Sequence, residues 1–289
     1  MSGTHCHHHH HQGASLKHLC WAIILTLSYG LIEFIIGWQA NSLALIGDAG
    51  HMGSDAIALA IALMGTWIAK RGPSAHHSYG LGRAEIIAAI ISSLIMVGIS
   101  FAIVIEAIAR FHTPPHVHSQ SVIVVAAIGI GVNFLIAYVL SRGQQTLNTR
   151  AAMLHVIGDI LGSFAALLSG LIIYFTRWGL ADPMLSIIIS LLIGYSAINL
   201  LKEGLKIIME GTPSHLDSAR IEAEITSFAD VIKVNDLHIW TLSSDRIALS
   251  AHVQIGSLTQ WENTLTAIRD HLKNNHAIKH ITLQPELDS

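Results

Sequence analysis

Gly47-Asp48-Ala49-Gly50-His51-Met52-Gly53-Ser54-Asp55-Ala56-Ile57-Ala58-Leu59 opens an apolar run that continues to Ala69. His51 and Asp55 stand one helical turn apart, so a helix through this stretch presents both side chains on one face. Far along the chain, Leu154-His155-Val156-Ile157-Gly158-Asp159-Ile160 repeats the spacing. Two such helices facing each other supply two imidazole nitrogens and two carboxylate oxygens, a tetrahedral set that suits zinc. Each aspartate at the centre of a bilayer costs about 2.5–3.5 kcal/mol on insertion scales, so a chain carrying two is expected to use them. The plainer alternative is a pair of buried His–Asp hydrogen bonds that hold helices together. Identical spacing on separate helices favours shared ligation. Asp48 falls on the same stripe as His51 and Asp55, where it reads as an orienting or entry group behind the four ligands.

Composition sets the surroundings of this motif. Of 289 residues, 52% are hydrophobic and 12% charged, against about 25% charged in ordinary soluble domains, so an integral membrane protein is expected. Residues 86–105, 121–140 and 183–201 contain no charged side chain, and each approaches the roughly 20 residues that cross a bilayer. Cys6 and Cys20 form no C-x-x-C, so neither a disulfide framework nor a thiolate metal site is indicated. The net charge of −3 gives no reason to expect a nucleic-acid partner.

Apolar runs predict six transmembrane helices near 17–38, 43–69, 83–111, 121–141, 149–176 and 181–208. Lys17, Lys70, Arg71, Arg83, Arg142, Arg150, Lys202 and Lys206 fall on one side of the membrane, and only Arg110 and Arg177 on the other. That bias predicts a multi-pass protein with both termini in the cytoplasm. Asp182-Pro183 reads as a helix start, with the aspartate as cap and proline at the first helical position. Three regions follow: a disordered His-rich tail (1–15), a transmembrane domain (16–210) and a cytoplasmic domain (211–289). In the last, the periodicity predicts an αββαβ order, an α+β layer whose small core would gain from self-association. Glu106 and Arg110 have the spacing of a local ion pair. Asn133 reads as a polar contact between helices.

The stretches Ser42–Asp55, Tyr79-Gly80-Leu81-Gly82-Arg83-Ala84-Glu85, His155–Asp159, Glu210-Gly211-Thr212-Pro213 and Asp236-Leu237-His238-Ile239-Trp240 resemble the cation diffusion facilitator family, in its zinc-transporting His/Asp branch. The resemblance implies a homodimer of six-span protomers, each with a cytoplasmic ferredoxin-like domain, that exports metal in exchange for protons. It carries His51, Asp55, His155 and Asp159 over as transport-site ligands, and it implies an Arg83–Glu210 ion pair where the two domains meet. A second site in the loop between the second and third spans keeps only His77, with Ser74 and Leu81 in the other ligand places. In the cytoplasmic domain Asn235 and Thr282 replace expected histidines. His252, His238 and His280 remain as accessory metal candidates, beside the simpler reading of polar positions on strands.

Chemistry narrows the expected cargo. Imidazole titrates near neutral pH, so protons and metal compete for the same nitrogens. Zn²⁺ is expected ahead of Cd²⁺, with Co²⁺ and Ni²⁺ admitted by the ligand set, while Ca²⁺ and Mg²⁺ prefer all-oxygen shells. No His-Glu-x-x-His occurs, and four protein ligands leave no place for activated water, so an enzyme is not expected. The expected setting is an inner or plasma membrane, with lipid around the helices.

Overall fold

A computed structural model describes residues 9–39, 43–112, 119–143, 145–178, 180–243 and 246–287. Six long helices come first: α1 (His9–Gln39), α2 (Leu43–Ala69), α3 (Arg83–His112), α4 (Ser119–Ser141), α5 (Leu147–Thr176) and α6 (Ala181–Ile208). Among the described residues, Arg83–Phe111, Leu147–Thr176 and Pro183–Ile208 are long and apolar enough to cross a membrane. In α1, α2 and α4 the described apolar stretches are shorter: Leu16–Ile32, Asp55–Ala69 and Ala126–Ser141. Phe101, Leu31, Ile57, Phe134, Phe175 and Leu191 all stand exposed on the outside of the bundle. Contiguous apolar surface of this extent is foreign to water-soluble monomers and suits lipid.

Helices α1, α2, α4 and α5 close around one core, with Leu19, Ala22, Leu59, Ala62, Ile136, Leu140, Ala152 and Val156 all buried. Helices α3 and α6 pack along each other and lie against α5. Gly65 lets α2 run close to α3, because a Cβ there would stand 2.4 Å from the Cβ of Ala88. A capping box holds the start of α5, where Thr146 and Thr149 exchange side-chain-to-backbone hydrogen bonds.

Two expected boundaries shift. Helix α1 starts at His9, inside the tract read as a disordered tail, while residues 1–8 lie outside the described residues. Extending an existing helix costs little, because each added residue brings a backbone hydrogen bond. Helix α6 starts at Ala181 with Leu180 at the cap position, so Asp182 is not the cap. Pro183 therefore stands third in the helix, which is tolerated because first-turn N–H groups have no intrahelical partner.

After α6 the chain turns sharply. Glu210 takes a left-handed conformation (φ 59°), and the Gly211 N–H donates to the Lys206 carbonyl at 2.8 Å. Then follow α7 (Ser218–Thr226), β1 (Val231–Ser243), β2 (Arg246–Ile255), α8 (Trp261–His276) and β3 (Ile278–Leu287). β1 and β2 pair antiparallel, and β3 joins the other edge of β2 in parallel. A parallel neighbour requires a crossover, which α8 supplies. Ile221 and Ile225 of α7 and Ile268 and Leu272 of α8 bury against Val234, Leu249, Val253 and Ile278 of the sheet. The αββαβ order expected from periodicity is the order observed. Asp217 caps α7 by accepting the Ala219 N–H at 3.0 Å.

Candidate metal centre

Helices α2 and α5 meet where their His/Asp motifs stand. Asp55 of α2 and His155 and Asp159 of α5 bring one ligand atom each within 4.8 Å of one another. His155 Nδ1 lies 3.8 Å from Asp55 Oδ1 and 4.0 Å from Asp159 Oδ1. These side chains are 7%, 6% and 14% exposed respectively, so the cluster is withdrawn from solvent. Two ligands bound tetrahedrally to zinc stand about 3.3 Å apart, given bonds of roughly 2.0–2.1 Å. The two His155 edges exceed that by about half an ångström or a little more, a difference that small side-chain rotations around an ion would close.

His51 lies one turn before Asp55 in α2. Its side chain and that of Asp48 lie outside the described residues. A small cavity of about 10 Å³ adjoins the three ligands and is also lined by Thr26 and Asn133, both buried. That volume is near the least that admits a water molecule. Sequence reading gave Asn133 a packing role and passed over Thr26. The available signal was a polar residue inside an apolar stretch, clear for Asn133 and blurred for Thr26 by Ser28 two residues on.

A buried polar chain fixes α2 against α5. The Asn148 amide donates to the Ala62 carbonyl at 2.5 Å and to Thr66 Oγ1 at 3.0 Å, and the Thr66 hydroxyl donates to Glu85 of α3 at 3.4 Å. Asn148 is fully buried. These bonds lie two turns along α5 from His155, where they set the register in which the motif helices face each other. No sequence motif announced them.

The other candidate residues are dispersed. Arg83 Nη2 and Glu210 Oε1 form an ion pair at 3.0 Å where α3 meets the end of α6. Both are more than a third exposed, so the pair is worth at most about 1 kcal/mol. His77 and His238 line a cleft of about 760 Å³ between the α2–α3 loop and the cytoplasmic sheet, together with Arg83, Glu210 and Trp240. His238 Nε2 meets Asp236 at 2.9 Å, and His280 stacks edge-on against the Tyr79 ring. His252 stands opposite Asn235 in the sheet, and its Nδ1 meets Glu286. Among the described residues, these four histidines bring no three ligand atoms to one point. His238, His252 and His280 each make a separate side-chain contact, with Asp236, Glu286 and Tyr79. Glu106 and Arg110 pair at 3.0 Å.

One further cluster was not foreseen. Glu224 Oε2 meets His276 Nε2 at 2.6 Å and His271 Nε2 at 2.9 Å, between the end of α7 and the last turns of α8. The bonds from His276 and His271 hold the Glu224 carboxyl down at about 2.

An apolar helix bundle with a buried His–Asp cluster, joined to a small αββαβ domain, defines an integral membrane protein built to handle a cation. The model of the cation efflux transmembrane domain matches residues 19–209, and that of the cation efflux protein cytoplasmic domain matches residues 213–288. The chain belongs to the cation efflux family, whose members are transporters and not enzymes. It is 39% identical over 98% of its length, and 92% of the relative's, to a Bacillus subtilis (strain 168) protein named as a cadmium, cobalt and zinc/H⁺–K⁺ antiporter. It is 35% identical to the zinc transporter ZitB of Escherichia coli (strain K12), over 99% of this chain and 93% of that one. Identity is 36% to the metal cation efflux system protein CzcD of Cupriavidus metallidurans, over 97% and 90% of the two chains.

Proposed function

We propose that this protein carries Zn²⁺ out of the cytoplasm in exchange for protons, by alternating access to an intramembrane site of His51, Asp55, His155 and Asp159. The observation that carries the reading is the convergence of Asp55, His155 and Asp159 at ion-binding spacing inside an apolar bundle. The helical position of His51, one turn before Asp55, supplies the fourth ligand. Asn133 and Thr26 line the adjoining cavity, and Asp48, three residues before His51 in the sequence, is assigned a role in orienting ligands or admitting the ion. Cd²⁺ and Co²⁺, which the names of relatives mention, and Ni²⁺ are weaker cargoes.

Residues 16–210 form the six-span transport domain, with 1–15 as a His-rich tail and 211–289 in the cytoplasm beside both termini. The protein works as a homodimer through its cytoplasmic domains, and the Arg83–Glu210 pair couples the two domains of each protomer. Proton exchange follows from ligand chemistry: metal requires neutral imidazole and ionised carboxylate, and protons reaching those atoms from the outer side expel it.

Zinc added to proteoliposomes that enclose a pH-sensitive dye is expected to move protons opposite to the metal. Zinc uptake without any proton movement would contradict the exchange scheme.

A further inference from the structure

We propose that Glu224, His271 and His276 form a second divalent-cation site, in the cytoplasmic domain, suited to a borderline metal such as Zn²⁺ or Co²⁺. Three ligand atoms from these residues already lie within 4.8 Å of one another. Two imidazoles and one carboxylate are the donor set of many zinc sites that leave a fourth position to water. Hard cations such as Ca²⁺ and Mg²⁺ would find too few oxygens here.

The surroundings prepare each ligand for that task. Arg220 Nε donates to Glu224 Oε1 at 2.9 Å and leaves Oε2 directed at both imidazoles. The Phe228 ring packs edge-on against His271 at 5.5 Å and fixes its plane. Asn275 Nδ2 stands 3.1 Å from His271 Nδ1. With that amide turned over, its oxygen accepts from Nδ1–H, the tautomer that frees Nε2 for a metal. The side chains of Glu224, His271 and His276 are 22%, 31% and 12% exposed, so an ion can enter from solvent without unfolding the domain.

Without metal the cluster is closed by hydrogen bonds, 2.9 and 2.6 Å against the roughly 3.3 Å that tetrahedral zinc imposes. An ion must spread the ligands by a few tenths of an ångström, which small side-chain rotations supply. Bound there, it would fasten the end of α7 to the last turn of α8. The proposal stands apart from transport, because a chain unable to move zinc across a membrane would still bind it here.

The test uses the full membrane protein in detergent, lacking residues 1–12 and carrying Asp55→Ala and Asp159→Ala, so that neither the His-rich tail nor the intramembrane cluster competes. Titration with Zn²⁺ is expected to show one ion bound per protomer. Adding Glu224→Gln or His276→Gln should weaken that binding roughly tenfold to hundredfold. X-ray absorption of the one-to-one zinc complex should show two imidazoles and oxygen at about 2.0–2.2 Å. This last measurement needs no further substitution, so it decides the matter where a variant loses its fold. No retained ion, unchanged affinity in both variants, or a shell with fewer than two imidazoles would overturn the proposal.

Discussion

The two His–carboxylate clusters use the same chemistry in opposite settings. In the bundle, His155 stands 3.8 and 4.0 Å from its aspartates, too far for hydrogen bonds and close to the spacing around an ion. In the cytoplasmic domain, two histidines have closed onto Glu224 at hydrogen-bond distance. The helices that carry the first cluster pack around a core shared by four helices. The second sits between α7 and α8, with Phe228 against His271, and is partly exposed. The same donor types thus sit at different spacings in two frames of different size.

The sharpest way to break this contrast is to disable the open cluster. Asp55→Asn keeps the volume but removes the charge, and zinc flux should fall to the background of empty vesicles. Flux above a tenth of the intact rate would remove Asp55 from the ligand set. A smaller effect follows from loosening the frame. Asn148→Ala strips two buried hydrogen bonds between α2 and α5 and should cost about 1–3 kcal/mol, read as a lower thermal midpoint in detergent together with slower transport. A midpoint unchanged from the intact protein would show that the frame does not depend on Asn148.

Selectivity tests the compact geometry. His51→Asp replaces an imidazole with a harder, shorter ligand, and the preference for Zn²⁺ over Cd²⁺ should relax. An unchanged ratio of the two transport rates would count against His51 as a ligand. A milder effect concerns the Arg83–Glu210 pair: reversing either charge alone should lower transport modestly, and reversing both should restore it. Failure of the double reversal would mean that the pair does not couple the domains.

The smallest effect lies in the sheet. The contact with Glu286 holds the His252 imidazole above its ordinary 6.5, with Asp236 adding a little in the same direction. A raised folded value means that the contribution of this pair is complete below 6.5 and fades as pH rises through the folded value. In Glu286→Gln, the His252 midpoint followed by NMR should fall back toward 6.5. A midpoint that stayed raised would assign the shift to another group.

What the sequence revealed and what it hid follow the same physics. Placing Asp55 and Asp159 within apolar helices is expensive, so their presence stood out, and helical spacing placed each beside its histidine. Periodicity disclosed the αββαβ order of the cytoplasmic domain. Asn148 gave no such signal, because its worth depends on Thr66 and Ala62 being adjacent, which requires knowing that α2 packs on α5. Glu224, His271 and His276 share no helical repeat and cost little at a wet surface, so nothing set them apart before the fold placed α7 beside the end of α8. The cap of α6 was misread because Asp182-Pro183 matches a common helix start, whereas the helix begins at Ala181, two residues before Pro183.

The most direct test of the central claim is Zn²⁺ flux into proteoliposomes under an imposed pH gradient, with the intact protein and Asp159→Ala compared side by side. Saturable, gradient-driven flux in the intact protein that vanishes in the variant is the predicted result. Equal flux in both would contradict a transport site built on Asp55, His155 and Asp159.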